Sequence, residues 1–253
     1  MIELSDNGWP HSTSPFRADP PLNSVGIVIP MRDGMKFFKL CLYSVLNFTF
    51  PPYTLTVVDN LSGLRTKKQL RSLSQNHPFE VVRYDEPFNF AAQVNLGLRH
   101  AFRFPNIRYG LILNADTVVE PDWLTRLLEA IQSDNYGAVG PISNVAIPEQ
   151  EVGRKESMVK KVERLSGFCM LIRREAFENT DGFDEQFSGG GYEDQDFSIR
   201  LSKLGWLLGV DRRVHVHHFH RGFRVDKKHT EEMQENRVRF FEKHSALKEE
   251  SNV

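Results

Sequence analysis

Cysteine is scarce in this chain of 253 residues: only Cys41 and Cys169 occur, far apart and each in an apolar context. That usage excludes a small disulfide-stapled fold and reads as two buried thiols in a reducing compartment. Neither charge sign predominates. The 32 Lys and Arg stand against 33 Asp and Glu, a net charge of −1, so only a local basic patch offers a route to nucleic acid. Long apolar runs are missing as well. Nothing approaches the ~20 residues that span a bilayer, and the N-terminus lacks the basic start and apolar core of a signal peptide. The expectation is a cytoplasmic protein without a transmembrane segment.

What is present is ordinary for a globular protein: 40% hydrophobic and 26% charged residues, in a chain long enough to bury a substantial core. Residues 1–23 hold four prolines among polar residues and read as an irregular leader. Order begins with SVGIVIP, an apolar β-branched run ended by Pro30, which signals a buried strand. Helical spacing follows in GMKFFKLCLYSVLNF, then a strand in TLTVVDN, and the alternation repeats as far as YGLILNAD and PDWLTRLLEAIQS. Strands alternating with helices of about ten residues predict an α/β fold, a mostly parallel central sheet flanked by helices. Ligands of such sheets sit beyond the carboxyl ends of the strands. That rule selects Pro30, Arg32 and Asp33, then Asp59 to Ser62, then Asn114, Ala115 and Asp116. Residues 145–164 are polar and charged and suit a mobile loop. From position 226 onward a charged helix with one apolar edge and a fraying tail is expected.

Four constellations have the makings of chemistry. Asp59-Asn60-x-Ser62 places a carboxylate and short polar groups where a base and ribose are read, although the same residues also start turns and cap helices. LILNADTVVEPDWL ends a strand on Asn114 and Asp116, oxygen ligands suited to Mg²⁺ or Mn²⁺ carrying a diphosphate, with a helix cap as the plainer alternative. RVHVHHFHRGF concentrates His215, His217, His218 and His220, which points to metal binding, and no cysteine lies near enough to suggest zinc. GGGYEDQDFSIRL runs three glycines into Glu193, Asp194 and Asp196. Acids suit the first turn of a helix, and Asp196 can pair with Arg200. The glycines exceed that reading, since they would let a substrate approach the chain.

In this order the segments resemble the family 2 glycosyltransferases of the GT-A fold, over roughly residues 24–225. The resemblance implies an inverting transfer of sugar from a nucleoside-diphosphate sugar to an acceptor hydroxyl on a saccharide, or on protein, lipid or modified nucleic acid. The Pro30 segment, Asp59 and Asn60 would contact the donor's base and ribose, and Asn89 or Asn95 would add donor contacts. Asn114-Ala115-Asp116 takes the D-x-D position, with Mn²⁺ or Mg²⁺ held by Asp116 and a late histidine, best aligned with His217, with His215, His218 and His220 as nearby alternatives. Asp194 takes the place of the catalytic base, with Glu193 orienting the acceptor. Two departures stand out: Asn114 replaces the usual first Asp of D-x-D, and Leu64 replaces a second Asp on the donor side. A nucleotidyltransferase is the enzymatic rival, although PMRDGMKFF is a poor phosphate loop. A saccharide- or nucleotide-binding protein without turnover is the other.

Overall fold

A computed structural model describes residues 24–151, 159–220 and 227–245. The expected leader, the end of the tail and the middle of the 145–164 segment lie outside the described residues. Strands β1 (Ser24–Met31), β2 (Tyr53–Asn60), β3 (Glu80–Tyr84) and β4 (Ile107–Leu113) run parallel in the order β3-β2-β1-β4. They are joined by helices α1 (Met35–Phe48), α2 (Leu64–Asn76) and α3 (Phe90–Phe102). Parallel strands covered on both faces read as near-continuous apolar runs, and every residue of β1 is buried. Alternation still sorts its side chains: Val25, Ile27 and Ile29 join one core cluster with Phe38 and Trp123, while Val28 joins the other with Phe90, Leu98 and Phe197. Each such large side chain contributes about 1.5–3 kcal/mol on burial.

Beyond β4 come β5 (Thr117–Val118), α4 (Trp123–Gln132), β6 (Tyr136–Ile142), β7 (Val159–Val162), β8 (Cys169–Arg173) and α5 (Arg174–Asn179). The chain then forms α6 (Glu193–Lys203), β9 (Leu207–His215), β10 (His217–His218) and α7 (Lys227–Lys243). The sheet continues as β8-β6-β9-β7, with β8 antiparallel to β4 and β6, and β7 antiparallel to β9. The expected parallel order therefore holds for the first half, and the sheet as a whole is mixed. The reversal of β8 matters for function: Cys169 pairs with Leu113, so β8 starts at the edge where the parallel strands end. Part of the segment expected as a loop is an edge strand, β7.

Cys41 and Cys169 are free, buried thiols. Burial pushes the Cys41 thiol up to about 12 and raises Cys169 as well, so neither is a nucleophile at neutral pH. Among the described residues no helix is long and apolar enough to cross a membrane.

Candidate active site

The carboxyl ends of β1, β2 and β4 share one edge, and the predicted residues gather there. Asp59, at the end of β2, is fully buried and paired with Arg83, its register partner on β3. Arg83 reaches on to Asp85 at 2.9 Å. Among the described residues Asp59 Oδ1 has no hydrogen-bond partner. An orphaned buried acceptor costs about 1–3 kcal/mol, a penalty that an incoming N–H from a base would remove.

Several neighbours of Asp59 serve the scaffold. Asp33 Oδ1 accepts from Gly63 N–H at 3.0 Å and from the Thr66 hydroxyl at 2.7 Å, while its own N–H donates to Ser62 Oγ at 2.8 Å. These bonds tie the loop after β1 to the start of α2. Asn60, expected on the donor, uses its amide Nδ2 on the carbonyls of Tyr84 and Glu86, at 3.0 and 2.8 Å. Pro30 is buried in β1 beyond the last residue paired to β4, where its missing N–H costs nothing, and Arg32 is exposed beside it. Asn95 also holds the scaffold. Its Nδ2 donates to Phe183 O and Glu185 Oε1, each at 2.8 Å, and its Oδ1 accepts from Phe183 N–H at 2.8 Å. The side chain is committed at both ends and pins α3 to the loop before α6. Asn89 caps α3 through Ala92 N–H.

At the end of β4 the histidine run folds back onto the Asn114-Ala115-Asp116 turn. β10 pairs antiparallel with β5, and Phe219 N–H donates to Asp116 O at 2.9 Å. Successive residues of a strand face opposite ways, and here His218, one of the alternatives to His217, turns toward the carboxylate. His218 Nε2 lies 3.2 Å from Asp116 Oδ1, whereas His217 packs edge-on against Phe219. His215 faces Glu120 at 3.2 Å, and His220 meets His218 only ring to ring. The His218 ring stacks on Phe168 at 5.2 Å, with Nδ1 3.4 Å from Val145 O. His218 Nε2 and Asp116 Oδ1 are thus near enough to flank a divalent cation, since imidazole and carboxylate can both ligate one. Among the described residues no three His, Cys, Asp or Glu side chains form a closed metal cage. A two-ligand seat suits Mg²⁺ or Mn²⁺, which take most of their oxygens from phosphate and water.

The acidic turn meets this pair through two consecutive residues. Gly167 N–H donates to Asp194 Oδ2 at 3.0 Å. Phe168 O accepts from Asn114 N–H at 2.8 Å, while the Phe168 ring carries His218. One peptide step thus separates the acid from the carboxylate–histidine pair. Nothing in the sequence reading singled out Gly167 or Phe168; SGF directly before an apolar strand was the available signal.

The two acids differ electrostatically. Burial pushes Glu193 up to about 8, reinforced by the charge of Asp194, and among the described residues Glu193 Oε2 has no hydrogen-bond partner. Asp194 is raised by removal from water, but the N–H groups of Gly167 and Gln195 (2.8 Å) act against that rise. Two backbone N–H groups thus favour the charged form of Asp194, while burial and its neighbour's charge favour the protonated form of Glu193. Because the folded-state value of Glu193 lies above its ordinary 4.5, its contribution to stability is complete at low pH and is lost as pH rises toward about 8. Glu193→Gln is expected to flatten that decline in urea-unfolding measurements across the window.

The three glycines meet the last helix. Gly189, Gly190 and Gly191 have φ of 70°, 94° and 99°, and α7 packs directly on them. A Cβ on Gly191 would lie 2.2 Å from Met233 Sδ. The buried Asn236 of α7 donates from Nδ2 to the carbonyls of Ser188, Gly190 and Gly191, at 2.8, 3.3 and 3.2 Å. Asp196, fully buried, fixes the other end: it accepts from Arg200 at 2.7 Å and lies 2.8 Å from both Lys243 and His244 Nε2. The C-terminal helix is therefore a clamp on the turn that bears Glu193 and Asp194, and no local pattern in the sequence announced it. Gly191→Ala is expected to cost about 1–3 kcal/mol, read as a lower urea midpoint at unchanged slope.

The model of the family described as Glycosyl transferase family 2 matches residues 26–192. The O-antigen biosynthesis protein RfbC of Myxococcus xanthus is 25% identical over 241 residues, covering 84% of this chain and 18% of that protein. The chain spans less than a quarter of the length of the first curated relatives it matches. Among solved structures, mannosyltransferase PcManGT from Pyrobaculum calidifontis, in complex with GDP-Man and Mn²⁺, superposes with a TM-score of 0.67 at 16% identity, covering 97% of this chain and 68% of that one. GalNAc-T7 with UDP, GalNAc and Mn²⁺ gives 0.71 at 16% identity, covering 87% and 48%. Likeness at such identity is a likeness of fold, and the fold is GT-A.

Proposed function

Because the chain belongs to glycosyl transferase family 2, we propose that it moves a sugar from a nucleoside-diphosphate sugar to an acceptor hydroxyl, with inversion at the anomeric carbon. The observation that carries this reading is the Gly167–Phe168 dipeptide: the N–H of Gly167 donates to Asp194, and the ring of Phe168 stacks on His218, which meets Asp116. Asp59 Oδ1, the orphaned acceptor on β2, takes an N–H of the donor's base. Asp116 and His218 hold Mn²⁺ or Mg²⁺, which when bound neutralises charge on the departing diphosphate. Asp194, whose charged form two backbone N–H groups favour, removes the acceptor proton as that oxygen bonds to the anomeric carbon and the bond to the diphosphate breaks. General-base help of this kind contributes about 10²–10⁴-fold. Glu193, holding its proton below about 8, donates to the acceptor and orients it. One displacement suffices, so no protein nucleophile is needed. Similarity to an O-antigen biosynthesis protein favours a saccharide acceptor.

The test is a panel of nucleotide sugars with Mn²⁺ and candidate saccharide acceptors, followed as release of nucleoside diphosphate. Acceptor-dependent release from one donor is expected. Saccharide or nucleotide binding with no release from any donor would replace the enzyme reading with that of a binding protein.

A further inference from the structure

Charge is balanced over the whole chain but not over its surface. α1 carries two lysines, α2 carries four basic side chains, and neither helix has an acidic residue. Lys36, Lys39, Arg65, Lys67, Lys68 and Arg71 all reach solvent, and none forms an ion pair among the described residues.

The two helices lie side by side and run the same way. Asp33, at the head of α1, bonds to Gly63 and Thr66 at the head of α2. Farther along, the Tyr43 ring meets the His77 ring at 5.7 Å, at the end of α2. Phe38 of α1 and Leu70 of α2 enter the same core cluster, so the charged sides of both helices form one outward face.

A second asymmetry coincides with the first. Among the described residues, five of the eight large apolar side chains left exposed lie between positions 40 and 64. They include Leu40, Tyr43, Phe50 at 71% and Leu64 at 69% exposure. Unpaired cations alone fit any polyanion. Protruding aliphatic and aromatic side chains among them gain nothing from a phosphodiester backbone, but they insert into the headgroup boundary of a bilayer.

We propose that the α1–α2 face docks the protein onto an anionic membrane surface, the cations against lipid headgroups and Phe50 with Leu40 in the interface. The attraction is local, acting within a Debye length of about 8 Å, so the chain's overall charge of −1 does not oppose it. Each basic side chain near such a surface raises partitioning about fivefold.

Flotation of the full chain with phosphatidylcholine vesicles, with and without phosphatidylglycerol, tests this. Binding is expected to the anionic vesicles only, weakening as salt rises. Replacing Lys67, Lys68 and Arg71 together by Gln should lower it about a hundredfold. Phe50→Ser should weaken it while preserving the salt dependence. Both variants are expected to keep the wild-type melting curve and any turnover of soluble donor, which separates this surface from the catalytic reading. Equal binding to neutral vesicles, no vesicle binding, or an unaffected triple variant overturns the proposal. So does preferential, salt-sensitive binding of RNA over vesicles, which would make the face a nucleic-acid surface.

Discussion

Asp194→Asn is expected to lower sugar transfer by about 10²–10⁴-fold while leaving donor affinity unchanged. The substitution keeps the shape of the side chain and removes its ability to take a proton. One complication follows from the geometry: both carboxylate oxygens accept backbone N–H groups, from Gly167 and Gln195, and the Asn amide nitrogen cannot accept either. A stability loss of about 1–3 kcal/mol is therefore expected beside the catalytic one, and turnover is compared below the variant's melting temperature. Glu193→Gln supplies the contrast. Its carboxyl already holds a proton below about 8, so the amide imitates the working form and most turnover survives at pH 7. If Asp194→Asn turned over normally and Glu193→Gln were inactive, the two roles would be reversed.

Removal of divalent cation is the second large effect. Chelator is expected to abolish transfer and added Mn²⁺ to restore it, because in the proposed site Asp116 and His218, 3.2 Å apart, hold a cation with the donor's phosphates. His218→Ala removes one of only two protein ligands and should raise the Mn²⁺ needed for half-maximal turnover by about 10–100-fold or more, since the loss even of groups that orient a ligand costs that much. His217→Ala should leave the requirement unchanged, because that ring packs on Phe219. Binding of Mn²⁺ in the presence of nucleoside diphosphate gives the same comparison without turnover. Full activity in chelator, or a larger effect from His217 than from His218, would contradict the assignment.

The contrast between these two histidines shows where the sequence stops being informative. Val214 and Val216 announce a strand with a buried face, and both are buried. β9 ends at His215, however, and His217–His218 pairs with β5 instead. In a two-residue ribbon, shifting the register by one exchanges the faces, so the choice rests on pairing between positions a hundred apart. Asn95 was obscure for the same reason, since its partners are Phe183 and Glu185. The direction of β8 is likewise invisible to periodicity, which gives burial and not orientation. The strand ends at Asp59 and Asp116 were legible because an apolar run that stops on a carboxylate is a local signal. The glycines before Glu193 were legible as unusual backbone, but their reason, the packing of Met233 and Asn236, lies more than 40 positions away.

The anomeric configuration of the transferred sugar tests the central claim most directly. A single base, Asp194, with no protein nucleophile implies one displacement, so product NMR should show the configuration opposite to that of the donor. A retained configuration would contradict the account, because a single displacement from the face opposite the leaving group always inverts.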